Sequence, residues 1–196
     1  FYELVEADAR ALWSGATLEL VSCPACESDE TRHALERFGV VYVTCLACES
    51  LFVATRPSAE LLASYYRESA AARHWREEIF EPTKEARREK IAKPNAQWVL
   101  DSVAEQFPDA SVLLDLSSHG QLLRDELLAQ GELLQIRADR PDHEPALPDP
   151  RVLEVRLNET ADGDVDVVTA FDVIDRTFDL PELVRQAHRV LKPGGL

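Results

Sequence analysis

The four cysteines of this 196-residue chain form two Cys-x-x-Cys pairs, Cys23 with Cys26 and Cys45 with Cys48. A gap of two residues lets both thiolates of a pair turn towards one centre, and two pairs complete the tetrahedral four-sulfur shell of a structural zinc site. Two disulfides or four unconnected thiols are the alternatives. Identical spacing favours the metal, and the sequence shows no sign of the oxidising compartment that disulfides need. The pattern predicts one structural Zn²⁺ bound by all four thiolates, with no open position for water or substrate.

β-Branched and aromatic residues flank the second cysteine pair, over 40–44 and 51–54, and predict a strand on each side of it. Ahead of the first pair, the sequence predicts a short helix over 2–13 and a strand over 16–21. A Cys-x-x-Cys turn between two strands, called a knuckle, is typical of a zinc ribbon. Residues 1–57 are therefore expected to form an N-terminal zinc-ribbon module.

Residues 58–107 are predicted to be helical and to form a connector or lid. Ser58 is the expected N-cap of the first helix. Residues 73–93 mix acidic and basic side chains, as on a solvated helix. Pro94 is expected to break that segment before another helix over 95–107.

The composition limits the classes of partner. The chain carries 21 Lys and Arg against 36 Asp and Glu, a formal net charge of −15, which disfavours binding to nucleic acid. With 45% hydrophobic residues it has the composition of a globular protein, and it contains no apolar run of the ~20 residues that a membrane span needs. No secretory leader opens the chain, so we expect a cytoplasmic protein. Because the chain starts without Met and ends after a turn-like Lys-Pro-Gly-Gly, we expect a fragment whose sheet continues beyond residue 196.

Residues 108–196 alternate between strand and helix patterns. The predicted strands are 111–116, 133–136, 152–157 and 165–170, and the predicted helices are 121–130 and 179–191. Such alternation predicts an α/β fold with a mostly parallel, doubly wound sheet. A ligand of this fold binds beyond the carboxyl ends of the strands.

Two blocks near the end of this domain carry a family resemblance. They are Phe171-Asp172-Val173-Ile174-Asp175-Arg176, after a predicted strand, and Leu191-Lys192-Pro193-Gly194-Gly195, after a predicted helix. With these blocks the chain resembles the class I S-adenosylmethionine-dependent methyltransferases. The cysteine pairs and the helix with Tyr65-Tyr66 further resemble the sugar C-methyltransferases and related enzymes of glycan or natural-product pathways. The resemblance covers roughly residues 20–196 and implies a Rossmann-like methyltransferase domain over 108–196.

The resemblance implies a binding site for S-adenosylmethionine at the carboxyl ends of the strands. The residues that it places there are Asp115, Ser117, Ser118, Gly120, Asp139, Phe171 and Asp172. An adenosine cofactor needs a tight turn after the first strand and, about 20 residues later, a carboxylate for its ribose hydroxyls, which is where Asp139 lies. Two roles are open for Asp115, which either holds the loop or holds the amino group of the methionine tail.

The loop that follows Asp115 departs from the family pattern. The family has Asp-x-Gly-x-Gly-x-Gly, whereas this chain has Asp-Leu-Ser-Ser-His-Gly-Gln over 115–121, with one glycine. Side chains in such a turn cost on the order of 1 kcal/mol each and crowd a ligand. Ser117 and Ser118 either donate hydrogen bonds to a ligand carboxylate or cap the helix that follows.

The sequence assigns no general base. Asp175-Arg176 stands where the family often has Glu-His, and His74 is the one candidate because it lies in the segment that covers the active site in the similar subgroup. The expected function is methyl transfer from S-adenosylmethionine to a small molecule, such as a nucleotide-linked sugar. The alternative is a non-catalytic binding or scaffold protein on a degenerate methyltransferase fold, which the one-glycine loop motivates.

Overall fold

The computed structural model describes residues 1–117, 120–130, 135–139, 149–174 and 177–196. The chain separates into two compact units, an N-terminal unit of Phe1–Thr83 and a C-terminal unit of Lys84–Leu196. The predicted three-part division, with boundaries after residues 57 and 107, stays a prediction. Within the described ranges, no helix has the length and apolar character that a membrane crossing requires.

The N-terminal unit holds short strands between helices. In chain order the elements are α1 (Tyr2–Ser14), β1 (Glu19–Leu20), β2 (Thr31–Arg37), β3 (Val40–Cys45), β4 (Leu51–Val53), β5 (Thr55–Arg56), α2 (Ala59–Glu68), α3 (Ala70–His74) and a π-helical segment (Trp75–Phe80). The predicted first helix and the strands on both sides of the second cysteine pair are confirmed. The strand expected over 16–21 is only two residues long, because β1 pairs with the two residues of β5 alone.

Strand β3 forms the centre of a three-stranded antiparallel sheet, between β2 and β4. Its alternating pattern buries Val43 and Cys45, which pack with Cys23 and Phe52 in a small core. All seven residues of β2 are exposed. The core of this sheet therefore consists largely of the cysteines themselves and their immediate neighbours.

Helix α2 begins as the sequence predicts. The Ser58 hydroxyl accepts a hydrogen bond from the backbone N–H of Leu61 at 3.3 Å, which satisfies one of the unpaired donors of the first turn. The Asp8 carboxylate in α1 accepts a bond of 2.7 Å from the N–H of Ala71 and so connects α1 to the start of α3.

The C-terminal unit alternates helices and strands. In chain order it contains α4 (Glu81–Arg87, which includes the boundary between the units), a π-helical segment (Arg88–Ala92), α5 (Lys93–Gln106), β6 (Val112–Asp115), α6 (Gln121–Gln130), β7 (Gln135–Asp139), β8 (Leu153–Val155), a 3₁₀ turn (Leu157–Glu159), β9 (Val167–Thr169) and α7 (Leu180–Val190). Asp179 caps α7 as predicted, since its carboxylate accepts from the N–H of Glu182 at 2.9 Å.

The strands of this unit form one parallel sheet in the order β8-β7-β6-β9. Leu113, Leu127 and Ile136 are fully buried in the layer between the sheet, α5 and α6. This confirms the predicted α/β architecture with a parallel sheet. The strand order reverses between β6 and β9, which are the neighbours where such folds bind ligands.

The predicted break at Pro94 is wrong. Helix α5 starts at Lys93 and carries Pro94 in its first turn, directly after the π-helical segment Arg88–Ala92. Ala92 and Lys93, which precede Pro94, both have right-handed helical dihedral angles, so the helical backbone runs through the proline instead of ending before it.

The Lys-Pro-Gly-Gly block closes the amino edge of the sheet, opposite the carboxyl ends of the strands. The buried Asp166 carboxylate accepts from the N–H groups of Ser111 and Val112, both at 2.9 Å, and from the ammonium of Lys192 at 2.6 Å. Burial opposes its ionisation, but these donors lower the pKa of Asp166 to about 2. A Cβ on Gly195 would lie 2.8 Å from the carbonyl oxygen of Asp166, so only glycine fits there. This block of the resemblance is structural.

Candidate functional site

The two cysteine pairs meet in one place, and we call the four residues the cysteine cluster. All four Sγ atoms lie within 4.8 Å of one another, with 3.5 Å between Cys23 and Cys48 and 3.6 Å between Cys26 and Cys45. A tetrahedral site with Zn–S bonds of ~2.3 Å has sulfur–sulfur edges of about 3.8 Å. None of the four is in a disulfide. Their spacing therefore fits a bound metal ion.

Each knuckle of the cysteine cluster is a tight turn of the same shape. The residue after each pair, Glu27 or Glu49, has a positive φ of 60° or 63°. Its N–H bonds the carbonyl oxygen of the first cysteine of the pair, at 2.8 Å for Glu27 to Cys23 and 3.1 Å for Glu49 to Cys45. The left-handed conformation is costly for a glutamate, so its occurrence at the same position twice shows that the turn geometry is imposed by the knuckles.

Hydrogen bonds favour thiolates in the second knuckle. The hydroxyl and the N–H of Ser50 lower the pKa of Cys48 to about 6. The N–H groups of Cys48 and Ala47 lower the pKa of Cys45, although its burial opposes them, and the Ala47 N–H lies 3.4 Å from the Cys45 sulfur. Thiolate is the form that binds a metal, so the second knuckle is prepared to bind one, whereas in the absence of an ion the pKa of Cys26 in the first knuckle is raised to about 12, although its hydrogen bond with the Ser28 backbone lowers it, by hydrogen bonds with Cys48 and other cysteines and by burial.

The second candidate region is the carboxyl edge of the parallel sheet, where Asp115 ends β6. Its carboxylate is 1% exposed. One oxygen accepts from the N–H of Ser117 at 3.0 Å and from the Thr169 hydroxyl at 2.9 Å, and the other accepts from the Arg124 guanidinium at 2.7 Å. Thr169 reaches it because the two residues are paired in the ladder between β6 and β9. Both oxygens of Asp115 are thus satisfied by the chain itself.

Gly120 lies directly against this ion pair. A Cβ built on it would be 2.3 Å from Asp115 Oδ2 and 2.6 Å from the nearest guanidinium nitrogen of Arg124. Contacts this short force a displacement of both charged groups. A side chain at the one glycine of the predicted cofactor loop would therefore have to displace an internal ion pair.

The loops after β6 and β9 are bonded to each other. The Ser117 hydroxyl accepts from the N–H of Phe171 at 2.9 Å, and the N–H of Leu116 donates to the carbonyl oxygen of Thr169 at 2.7 Å. The side-chain oxygen of Ser117 thus holds the loop after β9. Beyond Phe171, Asp172 is exposed and has a positive φ of 55°. These bonds cross the point where the strand order reverses.

Asp139 ends the neighbouring strand β7, and its carboxylate has fewer hydrogen-bond partners among the described residues than that of Asp115. Its half-buried carboxylate accepts from the N–H of Leu157 at 3.0 Å through Oδ1. The other oxygen, Oδ2, accepts no hydrogen bond from any residue that the structure describes. This oxygen can receive a ligand hydroxyl, so the ribose end of the predicted site fits the residues present, whereas both oxygens of Asp115 at the tail end already accept hydrogen bonds.

The remaining predicted residues have separate outcomes. Ser118 lies outside the described residues. His74 belongs to the N-terminal unit, where its ring stacks on that of Phe1 with centroids 6.1 Å apart. The catalytic role of His74 stays a prediction. Contact of Asp115, Asp139 and Phe171 with a cofactor also stays a prediction.

An apolar cavity of about 410 Å³ lies beside the carboxyl end of β9, and the sequence analysis did not find it. Trp98 of α5 forms one wall and meets the ring of Phe171 edge-on, with centroids 5.9 Å apart. Trp98 is 63% exposed. The signal in the sequence was a tryptophan in the apolar pattern of the helix predicted over 95–107, and this pattern does not by itself distinguish a cavity wall from the core.

The methyltransferase resemblance is supported by one family match, which covers the C-terminal third of the chain. Residues 133–196 match the family described as methyltransferase domain, and the match therefore begins after the loop that follows β6. No curated protein matches the chain. One similar solved structure is a candidate S-adenosyl-L-methionine-dependent methyltransferase from Methanococcus maripaludis, with 19% identity and a TM-score of 0.45. The similarity covers 58% of this chain and 58% of that chain, so the present chain spans less than two thirds of its length.

Proposed function

We propose that this protein transfers a methyl group from S-adenosylmethionine to a small molecule. The observation that carries the proposal is the half-buried Asp139, which ends β7 with one carboxylate oxygen not engaged by any described residue, inside the segment that matches a methyltransferase domain. A carboxylate at this position can accept from the vicinal hydroxyls of a ribose.

The proposed site extends from β7 to β9. Asp139 holds the ribose, Phe171 and Asp172 bound the methyl-donating end, and Asp115 fixes the loop through its bond to Ser117. The bound cofactor supplies an electrophilic methyl group. The protein contributes position, because an in-line displacement needs donor and acceptor held in one geometry, together with a base for the acceptor proton. His74 is the candidate for that base.

The acceptor that we propose is a nucleotide-linked sugar or a related metabolite. The order of the cysteine cluster, the helices and the parallel sheet supports this class through its likeness to sugar C-methyltransferases. A net charge of −15 favours a small acceptor over a nucleic acid.

We further propose that the cysteine cluster binds one structural Zn²⁺. With four thiolate ligands the ion has no open position for chemistry, so it stabilises the small sheet of the N-terminal unit. Thiolate ligands persist in a compartment that keeps cysteines reduced, and we therefore propose that the protein is cytoplasmic.

A second candidate function is non-catalytic binding on a methyltransferase-like fold. The observation that favours it is the internal pairing of the strand-end loop, where Asp115, Ser117 and Gly120 all engage other residues of the chain. This candidate predicts no methyl transfer to any acceptor.

The test is transfer of a labelled methyl group from S-adenosylmethionine to a panel of nucleotide-linked sugars by the intact protein. We expect transfer to at least one of them and a loss of at least tenfold in kcat/KM for Asp139→Ala. The matched control is Asp164→Ala, which removes an acid paired with Arg137 before β9 and leaves the site untouched. Binding of the cofactor without transfer to any acceptor would support the non-catalytic candidate.

A further inference from the structure

The buried ion pair between Asp115 and Arg124 is a feature that neither the proposed chemistry nor the fold requires. Arg124 lies in the first turns of α6, and its guanidinium points back to the carboxyl end of β6. The two side chains are 10% and 0% exposed. Two charges are costly to bury, and such a pair often contributes no net stability over apolar residues of the same size.

The neighbourhood is built around this pair. Gly120 has no room for a Cβ beside it, and Thr169 and Ser117 supply the further hydrogen bonds that the Asp115 carboxylate needs. Asp115 is thus held by an ion pair and two hydrogen bonds at a strand end that belongs to the proposed cofactor site. Arg124 cancels its charge.

We propose that Arg124 is a specificity-determining residue that sets the charge selectivity of this site. This inference rests on the proposed function. S-adenosylmethionine carries a positive sulfonium that S-adenosylhomocysteine lacks, and the two are otherwise alike except for the methyl group. An unpaired carboxylate at the end of β6 favours the cation, whereas a carboxylate neutralised by Arg124 lets the site hold the charged donor and the neutral product with similar affinity.

The experiment is a charge cycle at the pair, read as the ratio of the affinities for S-adenosylmethionine and S-adenosylhomocysteine. Relative to the parent, Arg124→Met lowers the net charge of the pair by one, Asp115→Asn raises it by one, and the double variant leaves it unchanged. Because partial unfolding weakens both ligands by the same factor, the ratio is insensitive to it. Calorimetric titration gives both affinities, and thermal unfolding of each variant gives an independent measure of the pair.

We expect Arg124→Met to shift the ratio towards S-adenosylmethionine by about threefold or more, the size expected for a unit charge beside a partly buried ligand. Asp115→Asn shifts it the opposite way, and the double variant returns to the parent ratio. If Arg124→Met does not fold, Asp115→Asn and the double variant still test the proposal, because their ratios must differ in the stated direction.

The matched control is Lys192→Met, which removes the cation from the buried Asp166 at the amino edge of the same sheet. It lowers the unfolding temperature and leaves the ratio unchanged. An equal ratio in all four members of the cycle, with both ligands bound, overturns this inference and leaves the proposed function standing. Absence of binding by the parent and by every variant overturns the proposed function and this inference with it.

Discussion

The cysteine cluster and the loop after β6 were both predicted from short motifs, and they differ in how their candidate ligand groups are used. In the cluster the four sulfurs face one another within 4.8 Å, and backbone N–H groups support them. In the loop, Asp115 and Ser117 bond to Arg124, Thr169 and Phe171, which belong to other elements. A motif thus shows which groups are present, and contacts with the rest of the chain decide whether a ligand can reach them.

Loss of one metal ligand has the largest expected effect on stability. Cys45→Ser should abolish metal binding and unfold the small sheet of the N-terminal unit, because structural zinc contributes on the order of 10 kcal/mol to folding. The unfolding transition of the C-terminal unit should stay in place. Elemental analysis and calorimetry measure the two effects, and Thr44→Ser in the same strand is the matched control.

The parent protein should contain one zinc per chain after reducing, chelator-free purification. Less than about half an equivalent of zinc, or a disulfide within either pair, would show that the cysteine cluster is not a zinc site.

The next effect concerns the buried ion pair. Arg124→Met leaves the Asp115 carboxylate buried without its cation and should lower the free energy of unfolding of the C-terminal unit by about 3–5 kcal/mol. Denaturant unfolding measures this. The double variant with Asp115→Asn should recover most of the loss, because it removes both charges. A single variant as stable as the parent would mean that solvent reaches Asp115 and that the loop is more open than described.

Gly120→Ala tests the close contact in the same loop. Its Cβ would lie 2.3 Å from the Asp115 carboxylate, so the ion pair must move, and we expect a loss of about 1–3 kcal/mol in the free energy of unfolding. Gly15→Ala is the matched control, because nothing lies within 4 Å of the added methyl group there, and it should cost nothing. Equal stability of both variants would contradict the described contact.

The helices and most strands followed from the sequence because their signals are local. Residues 121–130 form α6 as predicted, Ser58 and Asp179 cap their helices, and the parallel sheet has the expected strands. Strands β6, β8 and β9 came out shorter than predicted, since a ladder ends where its partner ends, whereas β7 extends past its predicted end at 136 to Asp139. Pro94 was misplaced because the π-helical turns before it have no sequence signature.

The candidate sites were predictable to different degrees. The cysteine cluster followed from spacing, because each pair acts through its own turn. The closure of the loop after β6 depends on Thr169 and Phe171, which are brought beside it by the pairing of β6 with β9. No pattern in the sequence indicates such pairing between particular side chains. The pairing of Arg124 with Asp115 was equally unpredictable, because the sequence pattern shows only that Arg124 lies on a helix.

The smallest expected effect concerns Asp139, at the proposed ribose end of the site. Asp139→Ala should weaken S-adenosylhomocysteine binding by about 1–3 kcal/mol, because two ribose hydroxyls lose their acceptor. Asp139→Asn is the control for the bond to the N–H of Leu157, since its amide oxygen keeps that bond. Unchanged affinity in Asp139→Ala would exclude Asp139 from the site.

Calorimetric titration of the intact protein with S-adenosylhomocysteine tests whether the proposed cofactor site exists. The proposed function predicts saturable binding at one site per chain with a dissociation constant below about 1 mM, an affinity of about 4 kcal/mol or more. Absence of binding up to that concentration, in protein shown to be folded and loaded with zinc, would contradict the assignment.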